Sequence, residues 1–361
     1  MDNGPLAKVD RSLGNLDRIA ALRRDQSSTG LRMLSAADLL SNPKPIRWLV
    51  RDMLEADTLA MIFGDPGSAK SFLALDMAAC IATGKPFHGH RTTAGAVAYL
   101  AGEGHAGIAR RLAAWRIKFG KEIDSAPLYI SSRAAPLPNS EADLCDALSD
   151  ALGNKPDELS LIVVDTIARH LVGDENTQAD AGRFVDALDR LRMRYPGATI
   201  LAVHHTGHGD KQRARGSTVF RAAVDAEMKV EKNTSHIVTI ECTKSKDALP
   251  FENMAFSLRT VELPKSWADE DGNPATSAIL SPCEVPTSKA PARKLGVNQS
   301  KALAVLRELS AKALDSWVDV TDWQAASDMS RKRFPEVLEG LKVREAIEMK
   351  DGLARAKGNR R

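Results

Sequence analysis

Thr58–Ser71 reads TLAMIFGDPGSAKS: an apolar run stops at a glycine-containing turn, and a lysine and a serine open the next stretch. Thr58–Phe63 has the length and the β-branched and aromatic content of a buried strand, and Phe72, Leu73, Leu75, Met77 and Ile81 predict one face of a following helix. The turn between them is Gly64, Asp65, Pro66, Gly67, Ser68 and Ala69. Strand, glycine turn, Lys-Ser and helix in that order form a phosphate cradle, in which backbone N–H groups converge on an anion. Gly64 and Gly67 let the backbone approach closely. Lys70 would reach the β- and γ-phosphates of a nucleotide as a point charge, Ser71 would offer its hydroxyl to Mg²⁺, and the helix N-terminus adds a positive field. Gly64–Ser71 are therefore the nucleotide-binding candidates. Ala69 stands where the common P-loop has glycine; its methyl restricts the backbone's approach without removing a ligand.

The rest of the chain sets the bounds. At 361 residues it is long enough for a large domain and a small one, and 43% hydrophobic content is ordinary for a globular protein. Fifty Lys and Arg against 47 Asp and Glu leave a net charge of +3, so a nucleic-acid surface has to come from local clustering. Cys80, Cys145, Cys242 and Cys283 are scattered, with neither a metal-ligand spacing nor a compact disulfide pattern, which suits a reducing cytoplasm. No run approaches the roughly 18 apolar residues of a membrane span, and MDNGPLAKVDRSLG lacks an apolar signal core. A soluble cytoplasmic protein without a membrane partner is expected.

Residues 1–45 carry scattered charge, an amphipathic piece at Leu13–Leu22 and a capping-type Ser35 before Ala36–Leu40. They read as an N-terminal arm, with a helix docking on a neighbouring subunit as the other reading. From Ile46 short apolar runs alternate with helical stretches, as in βαβ units around a mainly parallel sheet. Ala96–Ala101 is a second strand, and it delivers Glu103 between two glycines at its carboxyl end, where ligands bind in such sheets. Glu103 is the general-base candidate for water attacking a γ-phosphate. Leu159–Asp165, LSLIVVD, is a buried strand that ends on a carboxylate, so Asp165 is the metal-side candidate.

Helices are predicted over His105–Phe119, Glu141–Leu152 and Ala181–Arg194, with a polar, mobile stretch over Thr166–Asp180. Thr199–Val203 delivers His204-His205-Thr206, where a histidine can sense a γ-phosphate; no third ligand at suitable spacing supports zinc. The loop Gly207–Ser217 carries Lys211, Arg213 and Arg215, either to grip a phosphate backbone or reach a neighbouring site, or simply to be solvated. Ala226–Val230, His236–Cys242 and Met254–Leu258 predict an antiparallel extension of the sheet, with Lys244 and Lys246 on one side of an extended segment. Residues 263–296, rich in proline, read as a linker. Residues 297–361 read as three short helices and a hairpin with a cationic end, winged-helix-like, or else a small protein-interaction domain.

GDPGSAKS, YLAGEGH, LIVVDT, VHHTGHGDKQRARGS and ECTKSKDA occur in this order. With them, residues 46–262 resemble the RecA-like P-loop ATPases of the hexameric replicative helicases, closest to the plasmid RepA-type helicases and related phage ATPases. The resemblance implies an α/β fold and a hexameric ring, with ATP and Mg²⁺ at each subunit interface and single-stranded DNA in the channel. It implies Lys70 and Ser71 on phosphate and magnesium, Glu103 as catalytic base, Asp165 ordering the metal and His205 coupling the γ-phosphate to a DNA loop. It also implies a cation reaching the adjacent subunit's site, for which Lys244 and Lys246 compete with Arg215. Plasmid or phage DNA replication is the expected setting. A nucleotide-switched replication initiator or a recombination mediator that does not unwind DNA remains the alternative.

Overall fold

The computed structural model describes residues 33–41, 43, 45–153, 155, 158–207, 213–286, 296–313, 316–330, 333–343 and 346–356. The Leu13–Leu22 piece, Lys211 and the last cations, Lys357, Arg360 and Arg361, lie outside the described residues. The chain divides into two units, residues 1–285 and 286–361.

The larger unit is built on nine strands: β3 (Leu59–Gly64), β4 (Ala96–Ala101), β5 (Leu128–Ile130), β6 (Leu159–Asp165), β7 (Thr199–His205), β8 (Ala226–Lys232), β9 (Ile237–Ser245), β10 (Met254–Glu262) and β11 (Thr276–Cys283). A separate pair, β1 (Trp48–Val50) and β2 (Leu54–Glu55), precedes them. The order across the sheet is β11-β10-β9-β8-β3-β7-β6-β4-β5. From β8 to β5 all neighbours are parallel; β9, β10 and β11 extend the sheet antiparallel. The result is α/β with a mainly parallel sheet and an antiparallel extension.

Side chains alternate across a strand, and here both faces are dry, which explains the unbroken apolar runs. Ala60 and Ile62, Val97 and Tyr99, Leu161 and Val163, and Leu201 and Val203 pack on one side with α2 (Lys70–Thr83). Leu59 and Met61, Ala98 and Leu100, Ile162 and Val164, and Ile200 and Ala202 pack on the other, with α4 (Glu141–Ala151) and α6 (Gln178–Arg194). The first face also takes Ile108 and Trp115 of α3 (His105–Phe119).

Several expectations are corrected. α2 has no exposed stripe: eleven of its fourteen residues are buried, so its sequence is apolar nearly all round instead of on one face. Thr166–Asp180, expected to be mobile, holds α5 (Ile167–His170) and the start of α6, whose first turn is capped by the Thr177 hydroxyl accepting from the Asp180 N–H. The 263–296 stretch is not a linker throughout. β11 pairs with β10 along its whole length and buries Ile279 and Leu280, and the prolines fall mostly outside it. In the N-terminal stretch, α1 (Ala36–Ser41) has no buried residue; Ser35 caps it, accepting from the Asp38 N–H at 3.0 Å.

The smaller unit contains α8 (Val297–Lys312), α9 (Val320–Ala326), α10 (Phe334–Val343) and a three-stranded sheet of β12 (Val318–Asp319), β13 (Ile347–Lys350) and β14 (Leu353–Ala356), ordered β12-β14-β13. Its core centres on Trp323, fully buried, whose indole N–H donates to the Ala302 carbonyl at 2.7 Å. The cap of α9 is Asp319, whose carboxylate accepts from the Thr321 N–H at 2.7 Å. Among the described residues no helix is long and apolar enough to cross a membrane.

Candidate nucleotide-binding site

The parallel strands end in register. Ala101 pairs with Asp165, Asp165 with Val203, and His205 with Gly64, so the tips of β4, β6, β7 and β3 form one edge. The turn after β3 closes on itself through the Ser68 N–H, which donates to the Asp65 carbonyl at 3.1 Å. Gly67 and Ala69 are both left-handed, at φ 74°. Ala69, at the start of α2, thus holds the conformation that favours glycine and costs an L-residue about 1–2 kcal/mol. Gly64 has a second reason to be glycine: a Cβ there would sit 2.1 Å from the Val230 carbonyl oxygen of β8.

Lys70 is 5% exposed and donates to the carbonyls of Gly64 at 2.9 Å and Asp65 at 2.8 Å. Burial pushes its ammonium down to about 8, against the opposing pull of Asp165 and Asp65. Ser71 lies on the first turn of α2, partly exposed. Ser68 is buried, and its hydroxyl has no partner among the described residues.

Alternation along β6 and β7 decides what their tips present. Asp165 follows Val163 onto the α2 side, where it accepts from the Tyr99 hydroxyl at 2.5 Å; burial, then the Asp165 charge, push that phenol well above its ordinary value. The paired histidines separate. His204 turns into the other face, fully buried against Phe220 with ring centroids 5.3 Å apart, and its Nε2 donates to the Arg215 carbonyl at 2.7 Å. Burial pushes it down to about 4, so it is a neutral core histidine. His205 emerges on the α2 side. Burial lowers it first, Lys70 and Arg215 lower it further, and Asp165 and Glu103 oppose. Lys70, Asp165, Glu103, Arg215 and His205 therefore share one electrostatic neighbourhood.

Glu103 is exposed on the loop after β4 and accepts a hydrogen bond from the Arg169 guanidinium. Thr206 ties the cradle to β7: its N–H donates to the Gly64 carbonyl at 3.2 Å and its hydroxyl to the Asp65 carboxylate. Arg215 donates its N–H to the His205 carbonyl at 2.7 Å, and its guanidinium lies 2.5 Å from the nearly buried Glu175 carboxylate.

Lys244 and Lys246 are not brought to this edge. They lie where β9 pairs with the start of β8, at the opposite end of the parallel strands. The Lys244 ammonium caps α7 (Thr218–Ala223), donating to the carbonyls of Arg221 at 2.7 Å and Val224 at 2.5 Å; Lys246 faces Asp225 at 3.4 Å. Tyr99, Thr206, Arg169 and Glu175 were not singled out from sequence. A lone hydroxyl within AVAYLA was the available signal for Tyr99, and the hydroxyl directly after His204-His205 that for Thr206; nothing in the polar 166–180 stretch marked the other two.

A mainly parallel α/β sheet with a glycine turn, a buried lysine and a strand-end aspartate at its carboxyl edge defines a P-loop nucleotide-binding protein. The family model described as AAA domain matches residues 25–211, just over half the chain, and the chain belongs to this family of P-loop ATPases. The match takes in the cradle, Glu103, Asp165 and both histidines and ends before Arg215 and the antiparallel strands. No curated protein matches the chain. AAA ATPase domains bind nucleotide, typically with Mg²⁺.

Proposed function

We propose that this protein hydrolyses ATP as a RecA-like motor on single-stranded DNA, in the manner of the RepA-type replicative helicases. The observation that carries the reading is the meeting of Lys70, Asp165, Glu103 and His205 at one sheet edge, from four segments spread over 136 residues of sequence. Lys70 holds the β- and γ-phosphates, and the loop N–H groups, with the Ser68 hydroxyl that has no partner among the described residues, complete the cradle. Ser71 follows Lys70 on the first turn of α2, and Asp165 acts electrostatically on Lys70; a hydroxyl and a carboxylate are the hard oxygen donors that suit Mg²⁺. When bound, the metal neutralises charge on the phosphates. Glu103 takes the proton of the attacking water, and His205 senses the terminal phosphate and relays its presence through its own carbonyl to Arg215 and the basic loop.

The second cation is supplied by a neighbouring copy in a hexameric ring. Lys246, at the edge away from its own cradle, and Arg215, beside its own His205, remain rivals for that role, since the Lys244 ammonium is engaged at the end of α7. The test is ATP turnover with and without single-stranded DNA in the parent, Lys70→Ala and Glu103→Gln. DNA-stimulated turnover is expected in the parent alone, with ATP binding kept by Glu103→Gln; absence of stimulation by any DNA removes the motor reading.

One observation favours a second reading, a nucleotide-switched DNA-binding initiator. The C-terminal unit has its own core and joins three helices to a β13–β14 hairpin, which supports reading it as winged-helix-like and suited to duplex DNA. Duplex binding by the full chain that depends on residues 297–361 and not on turnover would favour it.

A further inference from the structure

The exposed loop that carries Glu103 is built against α5, and one residue of α5 holds the carboxylate. Gly102 donates its N–H to the Asp165 carbonyl at 2.6 Å, and a Cβ on Gly102 would fall 2.5 Å from the Cβ of Arg169. The loop after β4 and the turn after β6 are thus in backbone contact, and glycine at 102 is what allows it. Arg169 follows four residues after Asp165. Its own N–H donates to the Thr166 carbonyl at 3.0 Å, which fixes the start of its side chain, and its guanidinium ends on Glu103. Behind it His170 is fully buried, with its Nδ1 3.0 Å from the Thr166 carbonyl, so α5 is anchored in the core while Arg169 points outward.

Glu103 itself is otherwise poorly restrained. It lies between Gly102 and a left-handed Gly104 and is more than half exposed. A carboxylate that must meet a water in line with a phosphate needs a fixed direction, and misplacement by about 1 Å can cost about 100-fold in rate.

Building on the assignment of Glu103 as catalytic base, we propose that Arg169 is its positioning residue: the guanidinium, rooted in the turn that follows Asp165, aims the Glu103 carboxylate over the cradle. The same contact links the metal-side strand to the base, because a shift of the Asp165–Thr166 backbone moves Arg169 and Glu103 together. Arg169 touches neither nucleotide nor water in this role.

The experiment compares full-length parent, Arg169→Ala, Arg169→Gln, Arg169→Lys, Glu103→Gln and the Arg169→Ala/Glu103→Gln double variant. It reads kcat and KM for ATP, the Kd for a fluorescent ATP analogue, and amide hydrogen exchange of the 102–104 loop without nucleotide. Arg169→Ala should lower kcat by about 10- to 100-fold with KM and Kd within about twofold. Exchange of the loop should quicken in the same variant before any nucleotide is added. Arg169→Lys should recover a substantial part of the rate, and Arg169→Ala should add nothing to the loss in Glu103→Gln. Arg169→Gln, of similar length but uncharged, replaces the alanine variant if that chain does not fold. Parent-like kcat and exchange in both uncharged variants, a rise in KM or Kd matching the loss in rate, or an additive loss in the double variant overturns the positioning role alone. A parent that binds but never hydrolyses ATP overturns the ATPase reading, and this inference with it.

Discussion

The buried ammonium of Lys70 makes the cradle costly to keep in the absence of nucleotide, and replacing it with methionine should stabilise the protein while abolishing its chemistry. Burial lowers Lys70 from the ordinary lysine value of 10.5 to about 8. At about 1.4 kcal/mol for each tenfold change in proton affinity, the folded chain pays about 3 kcal/mol to keep the ammonium charged at pH 7. Losing its bonds to the Gly64 and Asp65 carbonyls offsets about 1 kcal/mol or more of that. A net gain of about 1–2 kcal/mol remains for Lys70→Met, or a Tm rise of about 2–3 °C in a unit of this size.

The sign with pH follows from which state holds the proton. Below about pH 8 the folded and unfolded chains are both protonated, and the full penalty is present. Between about 8 and 10.5 the folded chain has shed the proton and the unfolded chain has not, so the parent gains stability as pH rises. The advantage of Lys70→Met should therefore narrow across that window. Thermal melts of nucleotide-free protein at pH 7, 8, 9 and 10, with ATP binding measured in parallel, provide the test. A variant that melts below the parent at pH 7, or whose margin is the same at pH 10, refutes the argument.

Gly64→Ala drives a methyl into the Val230 carbonyl, a backbone atom that cannot swing away, and should cost about 3 kcal/mol along with ATP affinity; urea unfolding and a binding titration measure both. His204, held at about 4 against an ordinary 6.5, leaves the unfolded chain to take up a proton that the folded chain refuses. The parent should lose up to about 3 kcal/mol relative to His204→Gln as pH falls from 6.5 towards 4, seen as converging unfolding midpoints. Lys244→Met removes the cap on the end of α7 and should lower stability by about 1–2 kcal/mol; unchanged melting would show that those carbonyls do not need the ammonium.

Much of the larger unit was legible because its parallel strands are dry on both faces: TLAMIF, AVAYLA and LSLIVVD have no polar alternation to confuse them with half-exposed strands. The placement of Lys70, Asp165 and Glu103 at one strand-end edge was legible because each stands at the carboxyl end of an apolar strand or on the turn or helix start after it. The site was illegible where a residue's meaning depends on a distant backbone. Gly64 looks like a loop glycine, and only β8 reveals the Val230 carbonyl against it. Arg169 and Glu175 lie in a stretch whose polarity suggests mobility, yet each ends on a residue 66 or 40 positions away. β11 was hidden because its serines and Pro282 interrupt a short apolar signal, and its pairing is with β10 along its whole length.

The immersion of α2 has a mechanical consequence. A helix out of water along eleven of its fourteen residues, with Asp76 held by the Trp115 indole at 2.8 Å and by His88 at 2.6 Å, has no free side on which to pivot or slide without opening the core. On the proposed motor reading, displacement driven by a bound phosphate begins in the segments at the strand tips and travels outward through them. On that reading, substitutions that uncouple hydrolysis from movement cluster among residues 102–105, 166–170, 205–207 and 213–217, and the body of the helix is the fixed frame.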